Sequence, residues 1–362
     1  MHTLGTHFKK LLTNICPPQE RLDAARDLPS QVRQFLKEHE EFSTLAPHTR
    51  LVGSYAQHTS VGDVKDVDFL VRVPGNPEEN EPNAKDLIQE LKTTLDELPE
   101  FLGYSGYSST DDLTIERARR SVHIYFEEKD FHVDVVPCIA PKGFKEIIYV
   151  PDRGFNEWIP SHPIGYIELI KTLDDDSGGK VRALMKLVKH FRDYQMKTRK
   201  PKSYWLGALI IHHIRKDNGL DTSKTLAELF RDFCDAVYQQ YDHLLVVSDT
   251  ATPNISDPML DHNVSWNWKR THFETFMRRM DDGRKWATKA LDVDDKEVAI
   301  ILWQKIFGEE YFPSDISEFA ASLAASVLPG QSFITGSGRV TSERHSKKTS
   351  IQIPKTTFHG ET

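Results

Sequence analysis

Apolar positions along this chain follow two different periods, and the change between them divides it. In the first part alternation dominates. Residues 66–73 read Asp-Val-Asp-Phe-Leu-Val-Arg-Val, and residues 131–138 read Phe-His-Val-Asp-Val-Val-Pro-Cys. Such alternation puts one face of a strand into a core and the other outside it. Residues 121–127 alternate likewise, and Glu128-Lys129-Asp130 before the next run is a hairpin signal. Pro137 is expected to end the pairing of that second strand. Helical spacing accompanies these strands. Within residues 1–50, Leu28, Val32, Phe35 and Leu36 recur on one face, with Pro29 expected in a first turn, where a missing N–H is tolerated. Residues 84–98 carry Leu87, Ile88, Leu91 and Leu95 on one face. Residues 74–83 are expected to be a loop, and 144–160 a loop-and-strand edge.

From Pro163 onward the period is helical throughout, over 164–173, 179–197, 203–216, 224–245, 268–291, 294–307 and about 314–328. From Pro329 the chain turns polar, rich in Gly, Ser, Thr and Lys, and reads as a mobile tail. The predicted fold class is therefore α+β. A mixed sheet with flanking helices spans 1–160, an α-helical domain spans 161–328, and a flexible tail spans 329–362.

Composition narrows the function classes. A chain of 362 residues is long enough for two real cores. Its net charge of −8 argues against an extended nucleic-acid surface but allows a local basic pocket for phosphates. Cys16, Cys138 and Cys234 are far apart, which suits a reducing cytoplasm and no zinc site. No apolar run approaches a membrane span, and the N-terminus lacks a signal-peptide layout, so a cytoplasmic protein is expected.

The candidate chemistry gathers in residues 51–73. Asp66 and Asp68 stand two apart on a strand, so both carboxylates project from one face while Val67, Phe69 and Val71 face a core. Side-by-side carboxylates repel unless a cation lies between them, and oxygen-only ligands suit Mg²⁺ or Mn²⁺ better than zinc. An isolated Asp-x-Asp is often only a solvated strand edge. Here Asp134 supplies a third carboxylate within an apolar run, where an unpartnered acid is expensive. Gly53 allows a tight turn and close backbone approach. Ser54 offers a hydroxyl at the start of a short helix, a natural place for a phosphate.

The helix expected over 179–197 carries Arg182, Lys186 and Lys189 as a basic stripe, which is either a solvated face or an anion-binding one. Next comes Lys202-Ser203-Tyr204 at the start of an apolar helix. Ser203 reads as an anion contact, an N-cap or both, and Tyr204 as a base-stacking ring or part of the core. His212-His213 is expected to be packing rather than a metal pair, and Asp174-Asp175-Asp176 to provide capping charge.

Gly53, Ser54, Asp66, Asp68 and Asp134 together resemble the DNA polymerase β-like nucleotidyltransferase superfamily. The extended Gly-Ser-Tyr-x-x-x-Thr, with Thr59 in place, resembles the branch holding oligoadenylate synthase, cyclic GMP-AMP synthase and the bacterial cyclic-oligonucleotide synthases of antiphage defence. That resemblance implies a polymerase β-like fold braced by the N-terminal helix. It also implies two metal ions on Asp66, Asp68 and Asp134, Mg²⁺ first with Mn²⁺ as the alternative. Lys186 and Ser203 would hold the donor triphosphate, with Lys189 as the rival of Lys186, and Tyr204 would stack on the base. The substrates implied are ATP, with GTP, CTP or UTP left open, and the product a cyclic di- or oligonucleotide second messenger. Three alternatives remain at this point: transfer to an RNA 3′ end, transfer to a protein or antibiotic target, and a non-catalytic nucleotide-binding regulator. No long nucleic acid and no membrane is expected as a partner, whereas regulatory or conjugation proteins are. The end Phe358-His359-Gly360-Glu361-Thr362 partly resembles tails joined to other molecules by ubiquitin-like conjugation. No His-rich zinc insertion of the vertebrate DNA sensor is present.

Overall fold

The computed structural model describes residues 2–103 and 113–320, and the backbone of three short strands beyond them. The chain opens with α1 (Gly5–Asn14) and α2 (Gln19–Glu38), then β1 (Thr49–Val52), the single turn α3 (Gly53–Ala56) and β2 (Asp66–Val73). After α4 (Ala84–Leu95) and α5 (Leu98–Phe101) come β3 (Leu113–Arg117), β4 (Val122–Phe126), β5 (Phe131–Ile139), β6 (Ile148–Asp152) and β7 (Glu157–Ser161). Helices follow: α6 (Pro163–Asp176), α7 (Lys180–Gln195), α8 (Ser203–Arg215), α9 (Leu226–Tyr241), α10 (Leu244–Val247), α11 (Arg270–Asp292) and α12 (Lys296–Phe307). The last strands, β8 (Phe333–Thr335), β9 (Val340–Thr341) and β10 (Ser350–Gln352), form a small antiparallel sheet. The rest of the tail lies outside the described residues. Among the described residues no helix is long and apolar enough to cross a membrane.

The main sheet runs β1-β2-β5-β4-β3, with β6 on β5 and β7 on β6. β5 is its axis. It pairs in parallel with β2 along its length, antiparallel with β4 over Phe131–Val135, and with β6 at Ile139. Pro137 does not end the pairing as expected: it is in register with Val71, inside the strand. The reason is positional. The β4 ladder stops at Val135, two residues before the proline, so its missing N–H interrupts no bond to β4.

Alternation sorts the sheet's two faces. Val67, Phe69, Val71, Val133 and Val135 are buried together with Val32 and Phe35 of α2 and Ile88 and Leu91 of α4. On the other face, Leu70 and Cys138 form a smaller core with Val52 and with Ile164 of α6. That second face is the one turned toward the helical part.

One expectation for the first fifty residues needs correction. Pro29 is not in a first turn but inside the 20-residue α2. An interior proline costs about 3 kcal/mol. Leu28, Val32, Phe35 and Leu36 are buried along the same helix, and at roughly 1.5–3 kcal/mol each they outweigh it. The N-terminal helix that braces the sheet, as expected, is α2, the helix of Leu28, Val32, Phe35 and Leu36. Phe8, Leu11 and Ile15, in and just after α1, belong to the large core of the helices, where Phe8 lies edge-on to Trp303 and Phe312.

Candidate active site

Parallel pairing of β2 and β5 sets Asp68 opposite Asp134 and Asp66 opposite His132. Since Val67, Phe69, Val133 and Val135 are buried on the far side, these four polar residues share the face turned toward the helices. β4 extends the row by one strand, placing His123 opposite Asp134, and its Nδ1 pairs with Asp134 Oδ1. Burial, with Asp134 and then Asp66 adding repulsion, pushes the Asp68 carboxyl up to about 7, while His123 acts against it. The Asp134 carboxyl is raised too, by burial, against the pull of His123. The donor set is oxygen-rich and anionic, the chemistry a hard divalent cation prefers. Among the described residues no three His, Cys, Asp or Glu side chains converge tightly enough to cage a metal as they stand. His123 engages one Asp134 oxygen, Oδ1, and leaves the other to a cation.

Gly53 ends β1 beside Asp68. Its φ is +70°, and a Cβ on it would lie 3.2 Å from Asp68 Cγ and closer still to a carboxylate oxygen. Only glycine fits both the backbone and the space. Ser54 follows in α3, which spans four residues and so offers little dipole; what it contributes is a half-buried hydroxyl 3.0 Å from Ser60 Oγ. The loop then returns, with the Thr59 amide donating to the Ser54 carbonyl at 3.0 Å.

Helix α7 grips this loop from the other side. Arg182 donates from Nε to the Gln57 carbonyl at 2.9 Å and pairs with Asp174 at 3.0 Å. Asp174 also accepts from the Arg182 amide, which is the capping role expected of the Asp triplet. Lys189 donates to Thr59 Oγ1 at 2.8 Å and to its carbonyl at 3.1 Å. Lys189 is buried, and desolvation, with Arg192 adding to it, lowers its ammonium to about 7, while Asp193 and Asp66 pull the other way. Lys186 is half-buried, its Nζ 3.9 Å from Cys16 Sγ, and its charge, like that of Arg182, acts on His58 of the same loop. Of the two lysines, Lys189 is the one that hydrogen-bonds Thr59.

Ser203 is the first residue of α8 rather than its cap, and its hydroxyl accepts from Arg192 Nη1 at 2.9 Å. Tyr204 keeps 37% of its surface exposed. Its ring lies 4.9 Å from that of Tyr166, tilted by 50°, and its hydroxyl donates to Asp257 at 2.7 Å. His213 is buried edge-on against Phe233, as packing. Sequence reasoning missed His123 and Arg192. His123 was within reach: the hairpin pairing, counted back from its turn, sets residue 123 against 134.

Against this geometry, residues 1–173 match the family described as Second Messenger Oligonucleotide or Dinucleotide Synthetase domain. Over that stretch, just under half of its length, the chain is similar to the bacterial cyclic-oligonucleotide synthases, which are nucleotidyltransferases. The chain is 27% identical over 334 residues, 89% of each chain, to a cyclic AMP-AMP-AMP synthase of Acinetobacter sp. (strain ATCC 27244 / 9458). Its fold is similar to that of CdnC of E. coli MS115-1 solved with ATP, with a TM-score of 0.63, 17% identity, and coverage of 84% of this chain and 98% of that one. CdnC in complex with HORMA-deltaN gives a TM-score of 0.62 at 16% identity, covering 84% and 97%. The expected polymerase β-like architecture, a mixed sheet joined to helices, is the fold of this chain. Synthases of this family depend on divalent metal and make cyclic second messengers.

Proposed function

We propose that this protein joins nucleoside triphosphates, ATP foremost, into a cyclic oligonucleotide that signals in cytoplasmic antiphage defence. The observation that carries this is the register of Asp68 against Asp134 on the parallel pair, with Asp66 on the same face and Gly53 closing against Asp68. In each transfer a 2′- or 3′-hydroxyl of one nucleotide attacks the α-phosphorus of the next, and the bond to the β-phosphate breaks to release pyrophosphate. Asp66, Asp68 and Asp134 would hold two Mg²⁺ or Mn²⁺ ions, which when bound supply charge stabilisation to the reacting phosphate. Ser54 and Lys189 hold the triphosphate from the loop and from α7. A buried lysine near neutrality in isolation regains its proton beside a phosphate, so it binds as a cation. Ser203, fixed by Arg192, faces the same donor from α8, and Tyr204 stacks on the base. Lys186 lies one turn nearer the start of α7 and contributes less directly.

Likeness to a cyclic AMP-AMP-AMP synthase supports adenine in the product. The CdnC complex supports a regulatory protein as partner of this chain. The test offers all four labelled NTPs together with Mg²⁺ or Mn²⁺. Incorporation of AMP into a product resistant to phosphatase is expected. Label on RNA or on a protein instead would overturn the reading.

A further inference from the structure

We propose that Asp257 is a positioning residue that sets the orientation of the Tyr204 ring for the donor base. The proposal rests on the reading that Tyr204 stacks on that base, and adds what holds the ring. Tyr204 is the second residue of α8, its ring tilted against buried Tyr166 and about a third of its surface exposed. A phenol on a flexible χ1 and χ2 would sample several tilts there. What fixes it is the bond from its hydroxyl to Asp257 Oδ2 at 2.7 Å.

Asp257 comes from a remote loop built to be stiff. Ser265, fully buried, donates to the Pro253 carbonyl at 2.7 Å and accepts from the Ile255 amide at 3.1 Å. Ser256 and Asn263 form an isolated bridge, and the Asp257 amide donates to the His262 carbonyl at 2.7 Å. The two Asp257 oxygens have separate tasks. Oδ1 accepts from the Met259 and Leu260 amides at 2.7 and 3.0 Å, closing the turn, and Oδ2 takes the Tyr204 hydroxyl. His262 Nε2 stands 3.9 Å from Oδ2, beyond hydrogen-bond reach. A carboxylate buried this deeply is held by what it accepts, and here one oxygen belongs to the turn and the other to the ring.

This division of labour makes Asp257→Asn informative. The amide oxygen keeps the turn closed, but an NH₂ then faces a hydroxyl that must turn round and accept. The loop survives while the ring's anchor weakens from a charge-assisted bond to a neutral one. Donor KM for ATP and kcat are measured for wild type, Asp257→Asn, Tyr204→Phe, Tyr204→Ala and the Asp257→Asn/Tyr204→Phe pair, with melting temperature as the check on folding. Asp257→Asn and Tyr204→Phe should each raise KM about three- to tenfold, kcat staying within about twofold, and the pair should do no worse than either alone. Tyr204→Ala should raise KM further, by removing the stacking surface. An unchanged KM in Asp257→Asn, or additive losses in the pair, would overturn the positioning role while leaving base stacking intact. An unchanged KM in Tyr204→Ala would show instead that Tyr204 does not contact the base.

Discussion

Lys189 and Lys186 lie one turn apart on α7, yet their surroundings differ in kind. Lys189 is buried and bonded to Thr59, on the loop that carries Ser54, whereas Lys186 is half-buried beside Cys16. Lys189→Ala should therefore weaken ATP binding by about 1.5–3 kcal/mol, the value of a hydrogen bond to a charged group, and Lys186→Ala by less. Equilibrium titration with ATP decides it, and the reverse order would return the triphosphate to Lys186. Lys189 also leaves a mark on stability. Its ammonium falls from 10.5 to about 7 on folding, so above neutrality the unfolded chain holds the proton more often. Stability should rise with pH from about 7 to 10.5, and Lys189→Met should flatten that rise. Denaturant midpoints at pH 7 and pH 9 measure the difference. At the carboxylates, Asp68→Asn keeps the shape and removes a charge. Activity should fall by about a hundredfold or more, since several kcal/mol of charge stabilisation depend on that site. The metal-free variant should melt no lower than wild type, because the lost charge is half-buried and repelled by its neighbours. Near-normal turnover would remove Asp68 from the mechanism.

At the scale of elements, the turn between β1 and α3 has the narrowest tolerance. Gly53→Ala meets both an unfavourable φ and the Asp68 carboxylate, and should cost at least about 1 kcal/mol in unfolding free energy. A calorimetric or denaturant measurement checks this, and a neutral result would mean that β2 can give way there. Elements of this kind were legible because their patterns are local. The alternation of 66–73 gives β2 with its bounds, and Ser203 opens α8 where the apolar run begins. What could not be read was set by neighbours. Pro137 looks like a strand end until β4 is seen to stop before it, and Pro29 looks like a helix start until the buried stripe is seen to run through it. β3 stayed unread as well: it forms by pairing with β4 along Leu113–Arg117, a partner that its own residues do not announce.

In the whole molecule, the sheet and the helices meet at the catalytic face. The Ile15 carbonyl, just after α1, accepts from the Gly62 amide at 2.8 Å, while Arg182 and Lys189 hold Gln57 and Thr59. The loop between the glycine turn and the carboxylate strand is thus clamped by the helical part from two elements. The clamp itself was not legible: a basic stripe gives spacing along a helix but not which member bonds the loop, here Lys189 to Thr59. The same holds for α1, whose apolar face reads as helical without saying which core it joins. The carboxylates were legible because strand parity alone puts Asp66 and Asp68 on one side, and the hairpin supplies Asp134 as their neighbour. The most direct test of the whole arrangement is the product itself. Purified protein is given ATP with Mg²⁺ or Mn²⁺, the mixture is treated with phosphatase, and the surviving nucleotide is weighed by mass spectrometry beside an Asp134→Asn control. The account predicts a cyclic AMP oligomer without a terminal phosphate from the wild type and none from the control. A product made only of linear, phosphatase-sensitive chains, or an equal yield from the control, would contradict it.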